Sequence, residues 1–179
     1  MKGYKNGFQI GGGINADNAY EYLEAGASQV IVTSYVFKNG RINYQNLDKL
    51  VSAAGKEQLV LDLSCRKKDG AYYIVTDRWQ KFTDVQLSTG VLDEFSSYCS
   101  EFLVHAVDAE GKAKGIEKEL AEMLGNWGKI PVTYAGGIGS FAHLDELKAA
   151  GKGRLDFTVG SALDIFGGTM NFAEAAEYH

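Results

Sequence analysis

Residues 132–139, VTYAGGIG, decide the fold, because a strand-like apolar run there ends in a glycine pair that already occurs earlier in the chain. The earlier copy is QIGGGIN at residues 9–15, which places the two Gly-Gly pairs 124 residues apart. The segment after each copy repeats as well, since VTS at residues 32–34 corresponds to VGS at residues 159–161. The sequence therefore contains an internal repeat that is much longer than a single helix or strand.

Short apolar runs alternate with longer amphipathic stretches along the whole chain. The runs predict six strands, at residues 8–10, 29–33, 59–63, 101–105, 131–134 and 155–159. The stretches between them predict helices at residues 16–25, 46–54, 91–97, 116–124 and 143–150. Strands that alternate with helices build a parallel sheet from βα units.

The spacing of the repeat indicates the kind of α/β fold. Four βα units lie between the two glycine pairs, so each unit averages 31 residues. A repeat after four such units is typical of a TIM (βα)8 barrel built from two halves, which needs about 250 residues. We therefore expect residues 1–179 to form one N-terminally shortened barrel domain that contains strands three to eight. An Asp-Gly turn predicts a hairpin within an insertion, residues 65–88, after the fifth barrel strand.

Composition and charge exclude several classes of protein. Hydrophobic residues make up 45% of the chain and charged residues 23%, as in globular domains. The net charge of −5, without any basic run, argues against binding to nucleic acid or to an anionic membrane. Two cysteines are too few for a disulfide framework or a structural zinc site. So few cysteines are typical of a reducing compartment, and residues 1–7 lack the apolar segment of a secretion signal, so we expect a cytoplasmic protein. We also expect no bound metal.

The glycine pairs predict phosphate binding, because glycines at the carboxyl ends of parallel strands let backbone N–H groups approach an anion. In barrels the loops after the last two strands frequently hold phosphate. The residues that match this site are Gly136, Gly137, Gly160 and Ser161. The earlier copy of the repeat predicts a second site at Gly12, Gly13, Thr33 and Ser34. Tight turns alone would explain one glycine pair, but the recurrence favours a ligand with two phosphates.

Asp62 is the charged residue of an otherwise apolar strand, LVLDL at residues 59–63. A carboxylate buried alone is costly, so Asp62 is expected either to face the barrel mouth or to pair with Arg66. A carboxylate at the mouth is a good general acid or base.

Three further side chains follow the predicted strands. His105 ends one strand and Glu110 comes shortly after it, so both are candidates for the mouth of the barrel. A histidine at a strand end is equally often a structural hydrogen-bonding group. Trp79 follows the hairpin, where its ring either stacks on a planar ligand or packs against the hairpin.

Six sequence strings together resemble the eukaryotic-type ProFAR isomerases (phosphoribosylformimino-aminoimidazole-carboxamide ribotide isomerases) of histidine biosynthesis. The strings are QIGGGIN at residues 9–15, VIVTS at 30–34, LDLSCRK at 61–67, HAVDAEG at 105–111, YAGG at 134–137 and GSALDIFGG at 160–168. The resemblance covers essentially the whole chain. It implies a TIM barrel that begins about two βα units before Met1.

The resemblance implies an Amadori rearrangement that converts ProFAR into its ribulosyl isomer, PRFAR, without metal or organic cofactor. It also implies a small-molecule substrate with two phosphates. Asp62 matches one of the family's two proton-transfer aspartates, whereas the first-strand aspartate has no counterpart here. His105 stands where bacterial relatives have an assisting threonine, and Glu110 where they have an aspartate. Arg66 lies in a family string, and Trp79 matches a tryptophan that stacks on the imidazole ring.

The missing aspartate leads us to expect that this chain is inactive alone. The full-length family is expected to be monomeric, whereas a six-stranded fragment would self-associate through its unpaired edge strands. Two other functions stay open: a non-catalytic bisphosphate-binding barrel fragment, and a cyclase-like barrel of the imidazole glycerol phosphate synthase type. The string DLSCR at residues 62–66 argues against the synthase.

Overall fold

The computed structural model describes residues 7–112 and 114–178, which form two compact units. The first unit extends to Leu103 and the second begins at Val104. Residues 1–6, most of the segment examined for a secretion signal, lie outside the described residues. The single barrel domain over residues 1–179 stays a prediction.

Parallel strands and helices alternate along the chain, and antiparallel strands are inserted between some of them. The strands are β1 (Gln9–Gly11), β2 (Gln29–Val32), β3 (Phe37–Lys38), β4 (Arg41–Ile42), β5 (Leu59–Asp62), β6 (Cys65–Lys68), β7 (Ala71–Thr76), β8 (Lys81–Gln86), β9 (Glu101–His105), β10 (Val132–Ala135) and β11 (Asp156–Thr158). The α-helices are α1 (Ala19–Glu24), α2 (Tyr44–Ala54), α3 (Thr89–Phe95), α4 (Lys118–Trp127), α5 (Phe141–Ala150) and α6 (Phe172–Ala176). All six predicted strands and all five predicted helices are present, which confirms the α/β class.

The first unit contains parallel strands in the order β1-β2-β5-β9. Leu59, Val60 and Leu61 of β5 are all buried, as expected for a parallel strand that is covered on both faces. Asp62 ends this strand and pairs in register with Leu103 of β9. The apolar run therefore places the Asp62 carboxylate at the carboxyl end of the sheet.

The segment after β5 is a three-stranded antiparallel sheet, β6-β7-β8. Asp69 and Gly70 join β6 to β7 with φ angles of +50° and +81°, as a tight Asp-Gly hairpin turn requires. The hairpin of β6 and β7 had been predicted, whereas strand β8 and the small hairpin of β3 and β4 had not. Strand β8, KFTDVQ, lacks a strict alternation of polar and apolar residues. The β3–β4 hairpin does carry a sequence signal, since Asn39 and Gly40 form its turn with φ angles of +52° and +75°, and this signal was overlooked.

The second unit contains the end of β9 followed by β10 and β11, in that order. Helix α4 buries Leu120 and Leu124 and ends at Gly128, which adopts a left-handed conformation. A β-carbon on Gly125 would lie 2.3 Å from the carbonyl oxygen of Gly151, so only glycine fits where α4 approaches the end of α5. A 3-10 helix at Asp164–Phe166 and α6 follow β11, and neither had been predicted.

No helix within residues 7–112 or 114–178 is both long enough and apolar enough to cross a membrane.

Candidate functional site

The first unit contains a cavity of about 600 Å³ beside the carboxyl ends of β1, β2 and β5. We call it the first cavity. Predicted site residues contribute to its lining: Gly13, Thr33, Ser34, Asp62 and Trp79. The volume is in the range of small-molecule sites. The first copy of the sequence repeat and Asp62, the charged residue of β5, thus line the same cavity.

Both oxygens of the Asp62 carboxylate accept hydrogen bonds from hydroxyl groups. Thr33 Oγ1 donates to Oδ2 over 3.2 Å, and Ser64 Oγ donates to Oδ1 over 2.8 Å. Two such hydrogen bonds hold the carboxylate in one orientation. Asp62 is therefore arranged as a general acid or base needs to be, with a fixed orientation in an open cavity.

Trp79 reaches the same network from the turn between β7 and β8. Its indole N–H donates to Ser64 Oγ over 3.2 Å, while 37% of the residue remains exposed. Asp77 and Arg78 precede it in the turn and also line the first cavity. Asp77, Arg78 and Ser64 were not predicted as site residues; Ser64 stood inside a quoted string, but nothing in its type signalled a role.

The two glycine pairs have matching backbone geometry. Gly12 and Gly13 have φ angles of +104° and +70°, and Gly136 and Gly137 have φ angles of +110° and +77°. This left-handed region is readily accessible only to glycine. The repeat recognised in the sequence is therefore also a repeat of local backbone conformation.

The similarity extends to the residue two positions after each pair. The backbone N–H of Asn15 donates to Oδ1 of Asn18 over 2.9 Å, and the backbone N–H of Gly139 donates to Nδ1 of His143 over 3.1 Å. In each case a side chain near the start of the following helix fixes the loop. Asn18 and His143 differ in type, which is why the sequence comparison did not pair them.

The second unit contains a smaller cavity, of about 300 Å³, which we call the second cavity. It lies at the loops after β10 and β11. Predicted residues contribute to its lining: Glu110, Gly136, Gly137, Gly160 and Ser161. Among the described residues that line it there is no lysine or arginine, so a phosphate there would depend on backbone N–H groups and hydroxyls.

His105 lies beside the second cavity and contacts it through Glu110. Its Nε2 atom is 2.9 Å from Oε2 of Glu110, and the two side chains are 20% and 36% exposed. The pair brings an acidic side chain to the lining of the second cavity.

Besides His105, two predicted residues lie outside the linings of both cavities. Gly12 adjoins the first cavity through Gly13. Arg66 lies on β6, where its guanidinium carbon is 5.6 Å from the centroid of the Phe82 ring, a cation–π distance.

Within the described ranges no group of three or more His, Cys, Asp or Glu side chains could hold a metal ion. The expectation that the protein works without a cofactor stays a prediction.

Comparison with known proteins identifies relatives along the whole chain. A family model described as "Histidine biosynthesis protein" matches residues 2–170. A chloroplastic 1-(5-phosphoribosyl)-5-((5-phosphoribosylamino)methylideneamino)imidazole-4-carboxamide isomerase from Medicago truncatula is 54% identical over 179 residues, 100% of this chain and 57% of its own length. The isomerase of the same name from Neurospora crassa is 45% identical over 183 residues, 100% of this chain and 71% of its own length. That of Saccharomyces cerevisiae is 42% identical over 168 residues, 90% of this chain and 64% of its own.

Proposed function

Because this chain belongs to the histidine biosynthesis protein family, a family of TIM barrels, we propose that it carries out ProFAR isomerisation as part of such a barrel. The chain spans a little over half of the Medicago relative, at 57% of its length. The observation that carries the proposal is the Asp62 carboxylate, held by two hydroxyl donors in the first cavity.

The two cavities support a substrate with two phosphates. Each cavity lies behind a glycine pair of the same backbone geometry, and the names of the relatives describe a compound with two phosphoribosyl groups. We assign one phosphate to Gly13, Thr33 and Ser34, and the other to Gly160 and Ser161, with Gly136 and Gly137 shaping the loop.

The reaction needs proton transfer and no redox group. Opening the sugar ring of an aminoaldose requires an acid, and moving the C2 proton toward C1 requires a base. Asp62 is assigned one of these steps, and Trp79, at the rim of the same cavity, is assigned to stack on the imidazole ring. The His105–Glu110 pair is assigned a contact with the substrate beside the second phosphate.

The position of the six parallel strands within a barrel is part of this proposal. The four-unit distance between the glycine pairs, at 31 residues per unit, supports their assignment as strands three to eight. The second proton-transfer aspartate then belongs to the first strand of the barrel, and the 179 residues alone are expected to be inactive.

A chimera tests the function without depending on that expectation. The segment of the Medicago isomerase that aligns with this chain is replaced by residues 1–179 of this chain, and turnover of ProFAR is measured. We expect activity within about tenfold of the parent enzyme, since 54% of the aligned residues are identical. A folded chimera that binds the substrate without turning it over would instead favour the non-catalytic binding protein.

The matched control is Asp62→Asn in the same chimera. It keeps the size of the side chain and removes its ability to transfer protons. Persistence of activity in this control would refute the role of Asp62. Production of imidazole glycerol phosphate when the chimera is given PRFAR and ammonia would instead point to the synthase-type barrel. The relatives' names favour the isomerase over that barrel.

A further inference from the structure

Ser64 stands at the centre of a hydrogen-bond chain that no sequence pattern indicates. Its hydroxyl donates to Oδ1 of Asp62 over 2.8 Å and accepts the indole N–H of Trp79 over 3.2 Å. Ser64 is completely buried, at 0% exposure. One hydroxyl therefore connects a carboxylate at the end of β5 to an aromatic ring on the turn between β7 and β8.

The turn that carries Trp79 is held in a strained conformation. Asp77, Arg78 and Trp79 have φ angles of +52°, +55° and +68° in succession, although none of them is glycine. Non-glycine residues in this region are strained and persist only where surrounding contacts hold them. A salt bridge from Lys81 to Asp77 at 2.6 Å holds one side of the turn, and the Trp79–Ser64 hydrogen bond holds the other.

We propose that Ser64 is a positioning residue that couples the Trp79 turn to the orientation of the Asp62 carboxylate. With Trp79 bonded to its oxygen, the Ser64 hydroxyl proton points to Asp62 and holds one carboxylate oxygen. When the turn moves away, the Ser64 hydroxyl no longer accepts the Trp79 indole N–H and can rotate. The Asp62 carboxylate then loses the hydrogen bond that fixes its Oδ1 atom. The state of the turn is thereby transmitted to Asp62 over two hydrogen bonds.

The proposal rests on the proposed function only for its catalytic consequence. In an active chimera, Ser64→Ala should lower kcat more than it changes KM, because substrate contacts are kept while the carboxylate loses its orientation. Trp79→Phe keeps an aromatic ring and removes the N–H donor, and it should lower kcat as Ser64→Ala does.

The coupling itself is measured without turnover. The chain has two tryptophans, Trp79 and Trp127, so isotope-labelled protein gives two indole N–H signals in an NMR spectrum. Trp127→Phe assigns them. Ser64→Ala should speed exchange of the Trp79 indole proton with solvent by about tenfold, because its acceptor is removed. Thr33→Val, which removes the other donor to Asp62, is the matched control and should change that exchange rate by less than about twofold.

A double-mutant comparison tests whether the connection runs through Ser64. Asp62→Asn should move the Trp79 signal when Ser64 is present and leave it in place in the Ser64→Ala background. Equal movement in both backgrounds, or fast exchange of the Trp79 proton in the unmodified protein, would overturn the proposal. If the Trp127 signal reports unfolding of Ser64→Ala, Ser64→Cys, which weakens both hydrogen bonds without removing the side chain, should speed exchange of the Trp79 proton in the same direction by a smaller factor.

Discussion

A β-carbon on Gly137 would lie 2.0 Å from the carbonyl oxygen of Gly115, and the backbone N–H of Gly115 donates to the carbonyl oxygen of Gly137 over 3.1 Å. The second glycine of this pair is therefore required by the close approach of two backbone segments. At Gly12, Gly13 and Gly160, by contrast, a β-carbon would meet nothing within 4 Å. The glycines of the predicted phosphate loops are thus present for different structural reasons.

Gly137→Ala should destabilise the protein by about 3 kcal/mol or more, because it adds both a backbone clash and a strained φ of +77°. Gly160→Ala is the matched control, with the same chemical change in open space, and should change stability by less than about 0.5 kcal/mol. Urea unfolding of the two variants measures both values. Equal stabilities would show that the loop at Gly115 relaxes freely.

Gly160→Val should weaken binding at the second cavity, because its side chain would point into space that is empty in the structure. We expect the affinity for the bisphosphate substrate to fall by about tenfold or more, equivalent to roughly 1.4 kcal/mol. Calorimetric titration of the chimera in the Asp62→Asn background measures binding without turnover. An undiminished affinity in a folded variant would leave Gly160 as a turn former.

Gly13→Ala should lower the affinity for the bisphosphate substrate at the first cavity. It should also cost about 1 kcal/mol in stability, because alanine is strained at a φ of +70°. A ligand that carries one phosphoribosyl group separates the two sites. If each cavity holds one phosphate, such a ligand loses affinity in only one of the two variants. Losses of equal size in both would mean that the cavities do not bind phosphates separately.

Asp62→Asn should reduce isomerase turnover in the chimera by at least about 10²–10⁴-fold while leaving substrate affinity within about tenfold. The physical reason is that an amide keeps the shape of the carboxylate but neither accepts nor releases the proton. Steady-state kinetics measures the turnover, and calorimetric titration measures the substrate affinity. Turnover within a few-fold of the parent would remove Asp62 from the mechanism.

Burial raises the pKa of the Cys99 thiol to about 12 from an ordinary value of 9.0. The thiol form is thus favoured by folding, so this contribution to stability is complete below pH 9 and is lost as the pH rises from 9 toward 12. The difference in unfolding free energy between the unmodified protein and Cys99→Ala should therefore shrink over that range. If the difference in unfolding free energy between the two proteins does not change with pH, the pKa of the Cys99 thiol is not raised by folding.

Thiol reactivity gives an independent check. Cys65 and Cys99 are both buried, so an aromatic disulfide reagent at pH 8 should modify neither in the folded protein and both after denaturation. Rapid modification under native conditions would show that one of the sites opens readily.

The sequence by itself determined the order of the six parallel strands and of five helices, and the positions of the two glycine turns. These features are local: the apolar run of β5 and the φ angles that only glycine adopts easily depend on neighbouring residues and on burial. Asp62 could be recognised for the same reason, as a charge in an apolar strand. The family strings added the chemical assignment, which periodicity alone does not contain.

Only the tertiary structure decided how these elements meet. Ser64 gained its role because Trp79, 15 residues away, returns to it across a strained turn. Gly137 and Gly13 occupy the same position of the repeat, yet a carbonyl group from a distant segment crowds only the former. Asn18 and His143 fix equivalent loops with unlike side chains. Contacts between residues far apart in the chain depend on three-dimensional packing, and no local pattern of residue types encodes them.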